Sequence, residues 1–208
     1  AAGRRDDGHA GQGRQRMKST THKLLACSGG GVLGAFQAAV LDGLSLDRIT
    51  ACAGTSIGAC NAAAVAFGKT GNLKRFFEAA APAIFKRSFL HSIGWPLPKY
   101  DGVQLNSYLH SFFGDAKLGS ARKDLWITAV HPDGRPKVFY SYDKEDSQLP
   151  VWEVVRASCA APFYFPKWKD FSDGGLVANN PALVGIAGLM RMRGAKAEDI
   201  SAVRVGSG

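Results

Sequence analysis

A chain of 208 residues, 46% hydrophobic and 21% charged, is long enough for one well-buried domain and has neither a disordered nor a fibrous composition. No uninterrupted apolar run reaches the ~18 residues needed to cross a bilayer, and no apolar leader segment opens the chain, so the cytoplasm is the expected location. The net charge is +9, of which +4 lies in residues 1–23, where Arg4, Arg5, Arg14, Arg16, Lys18 and Lys23 face only Asp6 and Asp7. A basic tail fits a polyanion, a basic body fits an anionic lipid surface, and solubility alone accounts for both. No recognisable nucleic-acid-binding module accompanies the charge, so nucleic acid ranks last among the partners.

Residues 1–21 offer almost nothing to bury, which predicts disorder. A basic tail over 1–22 and one domain over 23–208 are therefore expected, with Met17 a candidate natural start. Residues 23–27 read as a strand, followed by a glycine loop and a helix over 35–42 that stops near Gly43. Residues 49–53 read as a second strand, and the Ala-rich 57–67 as its helix. Strand, loop and helix repeated in this way predict a parallel sheet covered by helices.

A helix opens after Gly71-Asn72 and runs over 73–78. Residues 82–102 break the pattern with three prolines, the bases Lys86, Arg87 and Lys99, and bulky apolar groups such as Phe85, Phe89 and Trp95. That stretch reads either as a lid or membrane-facing flap, or as a satellite cluster packed over the core. Helix resumes over 103–113. Strands over 125–130 and 137–140 flank an Asp133-Gly134 turn. Helices are expected over 151–158 and 182–193, and a short strand over 203–205. A chain that stops just past a core strand points to missing C-terminal sequence.

Cys27, Cys52, Cys60 and Cys159 form no C-x-x-C pair and lie in apolar stretches, so they read as reduced, buried thiols. Five widely spaced histidines give no metal cluster, and neither a metal nor a cofactor is expected.

Gly54-Thr55-Ser56-Ile57-Gly58 carries the chemistry. Between a strand and a helix, G-x-S-x-G places a serine on a sharp corner, and Gly54 and Gly58 let backbone and helix approach closely. A plain Gly/Ser turn fits the same five residues. As nucleophile, Ser56 needs a base. None of His9, His22, His91, His110 and His131 follows Asp173, so a Ser–His–Asp arrangement would have to combine His131 with Asp101. The alternative base is Asp173 itself, in Asp173-Gly174-Gly175, taking the proton directly; a plain turn is again the competing explanation. Gly29-x-Gly31-x-x-Gly34 fits the dinucleotide fingerprint literally. That motif also requires an acid about 20 residues on, at the end of the next strand. The chain has Ala53-Gly54-Thr55-Ser56 there, and no Gly-Lys-Ser/Thr. What remains is a set of backbone N–H groups suited to an oxyanion.

The glycine loop, G-x-S-x-G, the Arg156–Pro166 stretch and the 173–181 run Asp-Gly-Gly-Leu-Val-Ala-Asn-Asn-Pro, in this order, resemble the patatin-like phospholipase family from about Lys23 onward. The resemblance implies a three-layer α/β/α sandwich with a mainly parallel sheet. It also implies Ser56 as nucleophile, Asp173 as base, and an oxyanion hole from the Gly29, Gly30 and Gly31 amides. Fatty acyl ester hydrolysis without a metal, a lipid substrate and peripheral contact with a membrane surface follow from it. The chain departs from the family pattern at Leu33, where Arg or Lys is common, and at Ser28, where many relatives carry Asp. With the abrupt C-terminus, Leu33 supports a rival reading: a catalytically silent lipid-binding module.

Overall fold

The computed structural model describes residues 22–85 and 98–206. Residues 1–21 of the tail expected over 1–22, with the start at Met17, and residues 86–97 of the candidate lid lie outside the described residues, while His22, the last residue of that expected tail, is in a strand.

Six strands form one sheet: β1 (His22–Cys27), β2 (Ala51–Thr55), β3 (Asp124–Val130), β4 (Pro136–Tyr140), β5 (Ser172–Asp173) and β6 (Ile200–Val205). Their order is β4-β3-β2-β1-β6, with β5 attached to β3. The pairings β6–β1, β1–β2 and β2–β3 are parallel, and β4 and β5 run antiparallel to β3. Seven α-helices flank the sheet among the described residues: α1 (Gly34–Asp42), α2 (Ile57–Ala66), α3 (Leu73–Ile84), α4 (Val103–Phe113), α5 (Val151–Ser158), α6 (Gly175–Ala178) and α7 (Ala182–Arg193). None of the described helices is long and apolar enough to cross a membrane.

Alternation along the strands divides the core into two. Leu25, Cys27, Cys52, Leu125 and Ile127 face the larger cluster, which α1 to α5 complete. Leu24, Ala51, Ala53 and Trp126 face the other way, against Leu189 of α7. The fold is thus the three-layer α/β/α sandwich, with one thick layer and one thin one. Helix α2 is buried on nearly every side, as a helix without a polar face must be. Its alanines let it lie close to the sheet: a Cβ on Gly54 would stand only 2.5 Å from the Ala59 Cα. The thin layer is pinned by Arg193, whose Nε donates to Asp124 Oδ2 at 2.8 Å and whose Nη2 donates to Oδ1 at 2.5 Å.

Three of the expected elements differ in span by two residues or more. Strand β2 begins at Ala51, because the Ile49 N–H is used in a turn to the Leu46 carbonyl, and it continues through Gly54 and Thr55 in register with β3. Strand β6 begins at Ile200, because β1 offers a partner to each of its six residues. Helix α3 runs past Glu78 to Ile84 with Pro82 in its last turn, carried by the apolar stripe Leu73, Phe76, Phe77, Ala80 and Ile84. Residues 82–84, expected in the loop, are therefore helical.

The two-residue β5 sets the position of Asp173. Strand β2 pairs with β3 as far as Thr55↔Thr128, and β4 occupies the opposite side of β3. β5 pairs at Ala129↔Asp173 and Val130↔Ser172, so it takes the side of β3 that β2 vacates. Asp173 is thereby set just beyond the point where β2 ends, and Ser56 is the next residue of that chain.

Candidate active site

Ser56 joins β2 to α2 with φ 53° and ψ −131°, a backbone geometry that residues with a Cβ rarely adopt. Its N–H donates to Ser158 Oγ at 2.8 Å, and its Oγ donates to Asp173 Oδ2 at 2.7 Å. Asp173 is 5% exposed, and its other carboxylate oxygen accepts the Gly175 N–H at 2.7 Å. Burial raises the Asp173 acid above the usual carboxylate range, opposed by the hydrogen bonds from the Ser56 hydroxyl and the Gly175 amide. Such a carboxylate is a stronger base than an exposed one, and it already accepts a hydrogen bond from the proton it would take.

The glycine loop turns between β1 and α1. Gly29 does not offer its amide to a ligand: its N–H donates to the Asn179 carbonyl at 3.1 Å. This corrects the expectation of three oxyanion donors. Gly30 and Gly31 line the adjoining cavity, and their N–H groups have no protein acceptor among the described residues. The Ile57 N–H, at the first position of α2, is likewise without one, as the first amides of a helix are. Beneath the loop, Gln37 Nε2 donates to the Ser28 carbonyl at 2.7 Å, and Asn61 Nδ2 donates to the Gly34 carbonyl at 3.0 Å. Both loop ends are fixed from below.

A cavity of about 410 Å³ opens beside Ser56. Phe76, Phe77 and Ile84 of α3, with Phe85, Leu105 and Phe165, form its walls, and no charged side chain lines it among the described residues. Arg156, buried at the end of α5, donates to Asn106 Oδ1 at 2.6 Å and to the Pro166 carbonyl at 3.0 Å, and so holds the Phe165 segment in place. The rival His131 triad is not assembled. His131 Nδ1 lies 2.9 Å from Asp133 Oδ1, and Asp101 Oδ1 accepts the Val103 N–H at 2.9 Å. Burial pushes the Cys27 and Cys60 thiols up to about 12, so they stay protonated and unreactive at neutral pH. Among the described residues, no group of three His, Cys, Asp or Glu side chains could hold a metal ion.

The family model for the patatin-like phospholipases matches residues 25–186, most of the chain. The chain belongs to the patatin-like phospholipase family. It is 33% identical over 186 residues to the cGAMP-activated phospholipase of Pseudomonas aeruginosa, covering 80% of this chain and 56% of the relative. Patatin-like protein 2 of Arabidopsis thaliana is 29% identical over 208 residues, covering 78% and 51%. Among solved structures, VipD from Legionella pneumophila shares the fold with a TM-score of 0.54 at 14% identity, covering 90% of this chain and 50% of that one. The chain spans about half the length of these relatives.

Within this patatin-like domain, Ser158 and Asn179 are site residues to which the sequence motifs assign no role. Both act on backbone groups more than a hundred positions away, which no local pattern reveals. Leu33 lies half-exposed in the turn that leads into α1. Ser28 has a partner of its own, accepting from Arg204 Nε at 3.0 Å. The Ser158→Ala variant of the patatin-like domain is expected to lose about 1 kcal/mol in urea unfolding, because the part-buried Ser56 amide loses its acceptor. Unchanged stability would show that the amide finds another partner.

Proposed function

We propose that this patatin-like domain is a serine acyl hydrolase that releases fatty acids from phospholipids or other acyl lipids through a Ser56–Asp173 dyad. Ser56 Oγ attacks the ester carbonyl carbon as its proton passes to Asp173 Oδ2. The oxyanion that forms is held by the Gly30 and Gly31 amides, with Ile57 N–H and the N-terminal end of α2 behind it. When the intermediate collapses, the alkoxide leaves with the proton from Asp173 and the acyl group stays on Ser56. Water then attacks the acyl-enzyme and gives its proton to Asp173. Collapse of the second intermediate releases the fatty acid and returns that proton to Ser56 Oγ.

The observation that carries this reading is the 2.7 Å hydrogen bond from Ser56 Oγ to Asp173 Oδ2 at a backbone-strained corner. The apolar cavity beside it suits an acyl chain, and the Pseudomonas relative is named a phospholipase. A fluorophosphonate probe tests it directly: wild type is expected to be labelled and Ser56→Ala not. Equal labelling of both proteins would place the nucleophile elsewhere.

A further inference from the structure

Phe163 is 88% exposed, more than any other large hydrophobic side chain among the described residues. Its position is not that of a loose loop tip. The backbone has φ 67°, in the left-handed region that residues with a Cβ avoid. The turn around it is closed on both sides: Tyr164 N–H and Phe165 N–H both donate to the Ala161 carbonyl, at 3.1 and 2.9 Å. Across the turn, Lys99 N–H donates to the Phe163 carbonyl at 2.9 Å, and Tyr100 N–H donates to the Tyr164 carbonyl at 2.8 Å. An apolar ring held rigidly in water gains nothing for the fold.

The place of this turn gives it a use. Tyr164, next in the chain, lines the acyl cavity and is half-exposed, and so is Val32 of the glycine loop, so both stand at the cavity mouth. From Val32 the apolar surface continues through half-exposed Leu33 to Phe36, one helical turn on and 61% exposed. The Lys99 ammonium lies 5.5 Å from the ring centres of both Tyr100 and Tyr164, which sets a cation among these apolar groups. None of the named rim residues is acidic, and the chain as a whole carries +9.

We propose that this rim, with Phe163 and Phe36 as its two wedges, docks the domain onto a phospholipid surface and sets the cavity mouth against it. Aromatic and aliphatic side chains enter the boundary between headgroups and acyl chains, while Lys99 stays at the level of anionic headgroups. A lipid surface fits better than a protein partner, because this opening is also the entry to a cavity without charged lining. A chain leaving the bilayer there passes from one apolar environment to another. The proposal rests on the acyl-hydrolase reading only for what the docked lipid is used for.

The test is co-sedimentation with vesicles of phosphatidylcholine and phosphatidylglycerol, comparing wild type with Phe163→Ser and Phe36→Ser. Hydrolysis of a soluble short-chain nitrophenyl ester is measured on the same proteins. Each variant is expected to bind vesicles about tenfold more weakly, as removal of one buried aromatic requires. Turnover of the soluble ester and the melting temperature should stay at wild-type values, because neither residue lines the cavity or packs in the core. Vesicle binding equal to wild type in both variants overturns the proposal, as does a wild type that stays in the supernatant. A dimer in size-exclusion chromatography that Phe163→Ser dissolves also overturns it, by making the rim a contact between copies. Failure of the chemical reading looks different: Ser56→Ala would then cleave the soluble ester while the rim variants still lost the vesicles.

Discussion

Ser56→Ala is expected to lower kcat/KM for an acyl ester by roughly 10⁴- to 10⁶-fold, with the urea midpoint unchanged. In the proposed mechanism the loss is large because the hydroxyl forms the covalent intermediate, and no other nucleophile lining the cavity among the described residues replaces it. The Cys159 thiol lies beside the serine, but burial holds it protonated well above its ordinary range. The rate that survives would come from the Gly30 and Gly31 amides and the cavity acting on attack by water. Ser56→Gly sharpens the test. A non-glycine residue at φ 53° costs about 1–3 kcal/mol, so the glycine variant is expected to gain stability as it loses activity. Turnover by Ser56→Ala within about tenfold of wild type would remove the serine from the reaction.

Asp173→Asn is expected to reduce kcat by about 10²- to 10⁴-fold, the usual contribution of a positioned general base. The amide cannot accept the proton, and the serine is then no better a nucleophile than any alcohol. The wild-type rate should fall on the acid side as Asp173 is protonated, with an apparent pKa above the ~3.9 of an ordinary aspartate. The sign for stability is the opposite of that of a salt-bridged carboxylate. A carboxyl whose folded pKa is raised binds its proton more tightly when folded. Its contribution to stability is therefore greatest below the unfolded value and is lost as pH rises through the raised one. Asp173→Asn, uncharged throughout, should not show that loss. Wild-type activity of Asp173→Asn on a short-chain nitrophenyl ester would sink the assignment of the base.

Much of this molecule is legible in its local chemistry. Helices α4, α5 and α7 have the spans expected of them, and local signals flank them: Gly102 and Gly114 bound α4, Pro150 precedes α5, and Pro181 and Gly194 bound α7. The turn before β4 is equally local. Pairing decides the rest. The true span of β2 depends on its register with β3, and that of β6 on its register with β1. At the site, the corner at Ser56 and the aspartate ahead of its glycine pair are each visible in the chain, but their meeting depends on β5 filling the edge β2 leaves. Sequence alone does not exclude the Gly29 amide as an oxyanion donor, because its acceptor lies on Asn179.

The segment that carries Asp173 also does more than present a carboxylate. Five residues beyond the aspartate, the Ala178 carbonyl accepts from Thr55 Oγ1 at 2.7 Å, and the Asn179 carbonyl takes the Gly29 amide. A single stretch of chain thus clasps the end of β2, just before Ser56, and the start of the glycine loop. On the proposed mechanism, displacing this stretch would part the proton acceptor from the attacking group and loosen the anion cradle in one movement.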